Sequence, residues 1–166
     1  MTVTINGTTG VSLVQDGVVT QADLASGVAG NGPAFSAYAV GSNSMTAATL
    51  TKITFDTELF DTNNNFSSSR FTPTVAGYYR ISAQVTGQNT CTGICYASIY
   101  VNGAQYKTGT YVQYSGSGTK FGVEGLVYCN GSTDYVEIYG FVPSTMGTYT
   151  ASSYFTWFDG AMVRSA

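Results

Sequence analysis

One stretch limits this chain more than any other: Phe71-Thr-Pro-Thr-Val-Ala-Gly-Tyr-Tyr-Arg-Ile-Ser-Ala-Gln-Val85. Its second half alternates. Tyr79, Ile81, Ala83 and Val85 point one way, and Tyr78, Arg80, Ser82 and Gln84 the other, the period-2 mark of a strand with two distinct faces. Ahead of it, Pro73 and Gly77 bracket a sharp change of direction, because proline fixes φ and glycine tolerates values other residues avoid. A short entry strand, a tight corner and a long central strand make the layout of a β-sandwich, not of a βαβ unit. From Ala34 onward no stretch of ten residues keeps a helical period, so residues 34–166 are expected to be all-β.

The strands of that domain are marked by apolar alternation with turn residues between them. Phe35–Val40 and Lys52–Asp56 come first. Leu59 and Phe60 then precede the polar loop Asp61–Asn65, which leads through Phe66 and Phe71 into the central strand. Cys95–Val101 turns at Asn102-Gly103 into Gln105–Tyr114, and the Gly-rich Ser115–Gly118 is expected to be a loop. Phe121–Tyr128 and Tyr135–Val142, joined at Asn130-Gly131, are expected to form a second hairpin. Tyr154–Val163 closes the domain.

Sorted by face, Ala97, Ile99, Val101, Val123, Val127, Val136, Ile138 and Val142 make a sandwich core. The opposite face is not the polar surface such a sheet usually presents. It offers Tyr96, Tyr100, Tyr128, Tyr135, Tyr139 and Phe141, with Tyr111 and Trp157 expected nearby. A second core layer or a wet tyrosine face would account for this, since Tyr tolerates partial exposure. An aromatic patch of more than a few hundred Å2, however, usually marks an interface. The reading preferred is an obligate homo-oligomer burying more than ~2,000 Å2.

Composition points the same way. Charged residues make up 9% of the 166, against about 25% in an ordinary soluble domain. Ser, Thr and Asn supply hydroxyls and amides for solubility, but 13 Tyr and 9 Phe suggest that surface is also hidden. A net charge of -3 with 6 scattered Lys and Arg argues against a nucleic-acid partner, whose phosphates dominate affinity. No run reaches the roughly 20 apolar residues of a membrane helix. The start lacks the basic and apolar regions of a secretory signal, so synthesis in a cytoplasm without classical export is expected.

Residues 1–33 differ from the rest. Thr2–Val14 suggests two short strands about Asn6-Gly7, and Thr20 would cap one helical turn ending at Gly27. The segment has no aromatic residue and too few large apolar ones for a core of its own. It is either a loose tail or an arm that orders by packing on something else, with Gly30–Pro33 as the joint.

Several segments resemble the C1q/TNF-like family. They are Ala34–Ala37, Ile53-Thr-Phe-Asp56, Asn63–Phe66 running on through Phe71-Thr-Pro-Thr-Val-Ala-Gly-Tyr-Tyr79, Val101-Asn-Gly103 and Ser153–Met162. The order matches along nearly all of residues 34–166, and Phe66–Tyr79 is the most specific part. The resemblance implies a jelly-roll β-sandwich that assembles as a compact trimer through an aromatic-rich sheet, with Tyr96, Tyr100, Tyr135, Tyr139 and Phe141 as the trimer contacts. Animal relatives often carry a collagen stem, but this chain has no Gly-X-Y repeat. Ile5–Val11 and Asp16–Leu24 instead resemble virion-attachment segments of bacteriophage fibre and structural proteins. That shorter match implies attachment to a capsid or tail protein through Val3, Ile5, Val11, Leu13, Val18 and Leu24.

Chemistry is poorly supplied. With no histidine, Ser-His-Asp and Cys-His nucleophile systems and histidine metal sites are excluded. Cys91 and Cys95 are either bridged locally or reduced, and Cys129 falls at the other end of the sandwich from them. Asp56, Glu58, Asp61, Glu124, Asp134, Glu137 and Asp159 include no evident hydrolytic pair. Some family members bind calcium, and the loop Asp61–Asn65 suits that ion only in type. The Asn-X-Ser/Thr triplets at Asn6, Asn65 and Asn130 are expected by chance in such a composition, and Ser115–Gly118 lacks the lysine of a phosphate loop.

The chain is thus expected to be a non-enzymatic virion-surface protein without a cofactor, a trimeric head fibre or capsid decoration. The alternative is a tail-fibre tip adhesin for a host glycan or protein, and the exposed strand-connecting loops expected around Thr90–Ile94 and Ser115–Thr119 are the segments that would contact a partner.

Overall fold

A computed structural model describes residues 32–41, 43–88, 91–116, 118–148 and 153–166, with the side chains of 91 and 114–116 left out. The expected arm and its contacts Val3, Ile5, Val11, Leu13, Val18 and Leu24 lie outside the described residues. The strands are β1 (Ala34–Tyr38), β2 (Ser44–Met45), β3 (Thr51–Lys52), β4 (Thr57–Asp61), β5 (Phe66–Ser67), β6 (Arg70–Phe71), β7 (Ala76–Thr86), β8 (Cys91–Val101), β9 (Ala104–Thr108), β10 (Val112–Gly116), β11 (Lys120–Asn130), β12 (Val136–Phe141), β13 (Met146–Gly147) and β14 (Trp157–Ser165). No helix occurs among the described residues.

Two antiparallel sheets face each other. The five-stranded sheet runs β11-β7-β14-β1-β4, and the seven-stranded one β10-β8-β12-β6-β5, with β3 on β12 and β9 on β8. Consecutive strands repeatedly change sheet, as β7 to β8 and β11 to β12 do, which is the wiring of a Greek-key jelly roll. The central strand behaves as its alternation demands. Tyr79, Ile81, Ala83 and Val85 are buried, while Tyr78 and Arg80 are exposed. Tyr79 reaches its burial with its hydroxyl satisfied, donating to the Val75 carbonyl at 2.6 Å.

Phe35 is the packing centre. Its ring stacks on Phe66 at 4.8 Å and Phe71 at 4.4 Å and meets Phe158 edge-on at 4.8 Å. The expected core residues Ala97, Ile99, Val123, Val127, Val136, Ile138 and Val142 are buried, and Val101 packs against them partly exposed.

Six local expectations need correction. Gly77 lies inside β7, not in the corner. It serves close approach, because a Cβ there would press on the Arg164 carbonyl of β14. Lys52–Asp56 is regular strand only in β3, although the Ile53 N–H still donates to the Ile138 carbonyl of β12. At Thr54 and Phe55 side chains replace the ladder: Asn43 bonds both backbone groups of Thr54, and the Phe55 N–H donates to Ser69 Oγ.

Gln105–Tyr114 is broken into β9 and β10, both lying along β8, with a register shift at Ile99/Tyr100. β10 runs on to Gly116, so part of the expected Ser115–Gly118 loop is strand. Thr92–Ile94, expected in a loop, likewise belongs to β8. Finally, β11 and β12 do not form a hairpin, since they belong to different sheets. Asn130 Oδ1 accepts the N–H groups of Ser132, Thr133 and Asp134, building a wider capped loop that carries the chain across the sandwich.

Candidate functional site

The change of sheet at Asn130 divides the aromatic residues between two outer faces. β8 and β12 present Tyr96, Ser98 and Tyr100 beside Phe141, Tyr139 and Glu137 in register. Tyr96 stacks on Phe141 at 4.9 Å and meets Tyr111 at 4.8 Å, and Tyr100 stacks on Tyr139 at 3.9 Å. The Arg70 guanidinium sits 3.8 Å over the Tyr135 ring. All five residues expected at the trimer contact, Tyr96, Tyr100, Tyr135, Tyr139 and Phe141, are therefore neighbours on this seven-stranded face. Each is half-buried, because its ring lies against a neighbour.

A carboxylate lies beneath those rings. Glu137 is 3% exposed and accepts from Lys52 Nζ at 2.8 Å and Arg70 Nε at 2.9 Å. Burial pushes its carboxyl up, but the hydrogen bonds from Lys52 and Arg70 outweigh that and hold it below the usual range. A buried carboxylate needs such partners, since desolvation otherwise drives it neutral. Burial raises the Tyr139 hydroxyl, with Glu137 adding to the effect, and burial raises that of Tyr96. This face pairs most of its rings and charges within the protomer, with Ile94, Tyr106 and Tyr111 left exposed at the β9–β10 side.

The five-stranded face differs. Tyr128 and Trp157, expected beside Tyr96, stand here because β11 and β14 belong to this sheet. Tyr128 lies opposite Tyr78, their rings 5.5 Å apart. With Leu126 and Val163 they line an open recess of about 670 Å3. Leu126 is 48% and Val163 45% exposed, with Tyr78 at 44% and Tyr128 at 47%. Phe60 of β4 is exposed on the same sheet. An aliphatic side chain has no polar atom to offer water, so this cluster is the stronger mark of a covered surface. Sequence reasoning passed over Tyr78, Leu126 and Val163 as contacts. The available signal was parity: in β11, Leu126 shares its side with Glu124 and Tyr128, opposite Val123 and Val127.

The remaining candidates hold structure together. Asp56 accepts the N–H groups of Val40 and Gly41. Burial opposes ionisation there, but these bonds keep its carboxyl below the usual range. Asp61 accepts from Asn63 and Phe66, and the Asn65 amide donates to Thr74, so the loop proposed for calcium already uses oxygens internally. Among the described residues no group of three His, Cys, Asp or Glu is placed to hold a metal. Glu124 pairs with Arg80 at 2.6 Å, and Asp134 accepts from Asn102 and Asn130. Cys95 is disulfide-bonded, which removes the alternative of three reduced cysteines. Cys129 is free and buried, its thiol pushed up to about 12 by burial, with Asp134 adding to the effect.

The sequence matches no protein-family model and no curated protein. Solved structures do match the fold. The globular domain of zebrafish complement 1qA aligns at TM-score 0.56 and 18% identity, covering 81% of this chain and 100% of that one. Murine APRIL aligns at 0.61 and 10%, covering 78% and 98%. Eiger TNF from S. frugiperda aligns at 0.61 and 6%, covering 80% and 93%. At these identities the likeness concerns the fold alone, and by fold this domain is an all-β C1q/TNF-like jelly roll.

Proposed function

We propose that this chain is a non-enzymatic bacteriophage virion structural protein: a homotrimeric jelly-roll knob on the capsid surface, anchored by residues 1–33 and sealed through its five-stranded face. The observation that carries the assembly is the exposed cluster of Tyr78, Leu126, Tyr128 and Val163. Left open to water, it would forgo roughly 25 cal/mol for each Å2 of apolar area that a second copy covers. The virion setting is supported by the likeness of Ile5–Val11 and Asp16–Leu24 to attachment segments. Their few apolar residues give the arm no core of its own, so it orders by docking on a capsid or tail component.

The competing trimer is sealed instead by Tyr96, Tyr100, Tyr135, Tyr139 and Phe141. Size-exclusion chromatography of two variants separates them. Leu126→Glu is expected to elute as a folded protomer while Tyr100→Ser stays assembled, and the reverse pattern would move the contact to the seven-stranded face. On purified particles, a labelled antibody is expected at the capsid. Labelling confined to tail tips would replace the decoration reading with an adhesin.

A further inference from the structure

Asp159 stands near the start of β14 on the outer side of the five-stranded sheet, between Ser36 of β1 and Ser82 of β7 in register. It looks into a recess of about 260 Å3 lined by Ser36, Phe60, Arg80, Ser82 and Ala161 among others. Its Oδ1 is shut off from solvent and has no hydrogen-bond donor, and Ser36 across the ladder is the one neighbour that favours the charged form. An acceptor buried in that condition is unusual in a folded protein and penalises the charged form most.

The surrounding groups do not relieve it. From β7, Arg80 borders the recess, but its guanidinium is held by Glu124 of β11 at 2.6 Å. From β1 and β7 come serines, and from β4 come Phe60 and the exposed Glu58. Asp159 takes part in none of the ion pairs among the described residues. Burial accordingly pushes its carboxyl above the usual aspartate range, opposed only by Ser36. Covering the face with a second copy removes the remaining water and favours the neutral acid further.

We propose that Asp159 links assembly to protons: copies join through the five-stranded face with uptake of a proton at the Asp159 carboxyl. The inference rests on the self-association proposed above. If the assembled state binds more protons than the separated one, association tightens as pH falls toward the carboxyl's raised range, above that of an ordinary aspartate. Glu137 and Asp56, both held below the usual range, stay ionised there and do not share in the effect.

The test is sedimentation velocity of the full chain across a pH series, with Asp159→Asn and Glu124→Gln beside it. Between about pH 8 and about pH 5 the wild-type dissociation constant is expected to fall at least about tenfold. Asp159→Asn should be tight and flat across the series, while Glu124→Gln, which frees Arg80 to pair with the Asp159 carboxylate, should weaken the pH dependence. Calorimetric dilution of the wild-type assembly in buffers of differing ionisation heat should show proton release on dissociation, a readout that needs no variant to fold. Association that is flat in the wild type overturns the proton link and leaves the self-association standing. Association that tightens as pH rises, as when a neighbouring copy supplies a cation to Asp159, also overturns the link. Absence of association at every pH overturns both.

Discussion

Phe35 shows how much of this sandwich hangs on single residues. It touches three other aromatic rings from β5, β6 and β14, so its removal opens a cavity that two sheets must share. Phe35→Ala should lower unfolding stability in urea by about 3–5 kcal/mol. Glu137 gives a pH signature. Because its folded carboxyl is held below the usual range, its contribution is present above the unfolded value and is lost as pH falls through the folded one. Glu137→Gln should flatten that acid limb and, by leaving Lys52 and Arg70 without a counter-charge, lose about 1–3 kcal/mol at neutral pH. A wild-type acid limb that survives the substitution would show that other carboxyls carry it. Neither role was legible in advance: Glu137 was one acid among several until the fold set Lys52 and Arg70 beside it.

Two Asn-Gly pairs show what elements reveal before folding and what they hide. Asn102 and Gly103 both adopt positive φ, at 52° and 77°, and join β8 to β9 as the expected tight hairpin turn. Gly103→Val should therefore cost about 1–2 kcal/mol, measured by the same urea titration. Asn130-Gly131 carries an equal hairpin signal yet sends the chain to the other sheet, because Asn130 and Asp134 cap a longer loop. Alternation within a strand is a local property, and so the inward set of β7 and most of the core were readable. Which sheet a strand joins depends on partners far along the chain. That is why Tyr128 and Trp157 were expected beside Tyr96 and belong instead to the five-stranded sheet, Tyr128 opposite Tyr78 and Trp157 opposite Gln84. The same limit hid the satisfied state of the Tyr96–Phe141 and Tyr100–Tyr139 stacks, which only cross-strand register creates.

For the whole molecule, the two sheets have unlike outer surfaces. The seven-stranded one pairs its central rings and charges within the protomer and exposes Ile94, Tyr106 and Tyr111 toward one edge, whereas the five-stranded one gathers Leu126, Val163, Tyr78 and Tyr128 uncovered around a recess. In the proposed trimer, copies of a chain with only 9% charged residues cover that surface for one another. Closure of a ring hides the patch on every copy, whereas an open chain would leave one exposed at its end. Sedimentation equilibrium of the intact chain at neutral pH and micromolar concentration tests this most directly. A single species of three times the 17.4 kDa protomer mass is expected, reduced to one protomer by Leu126→Glu. A folded wild-type species at 17.4 kDa across the whole concentration range would contradict it.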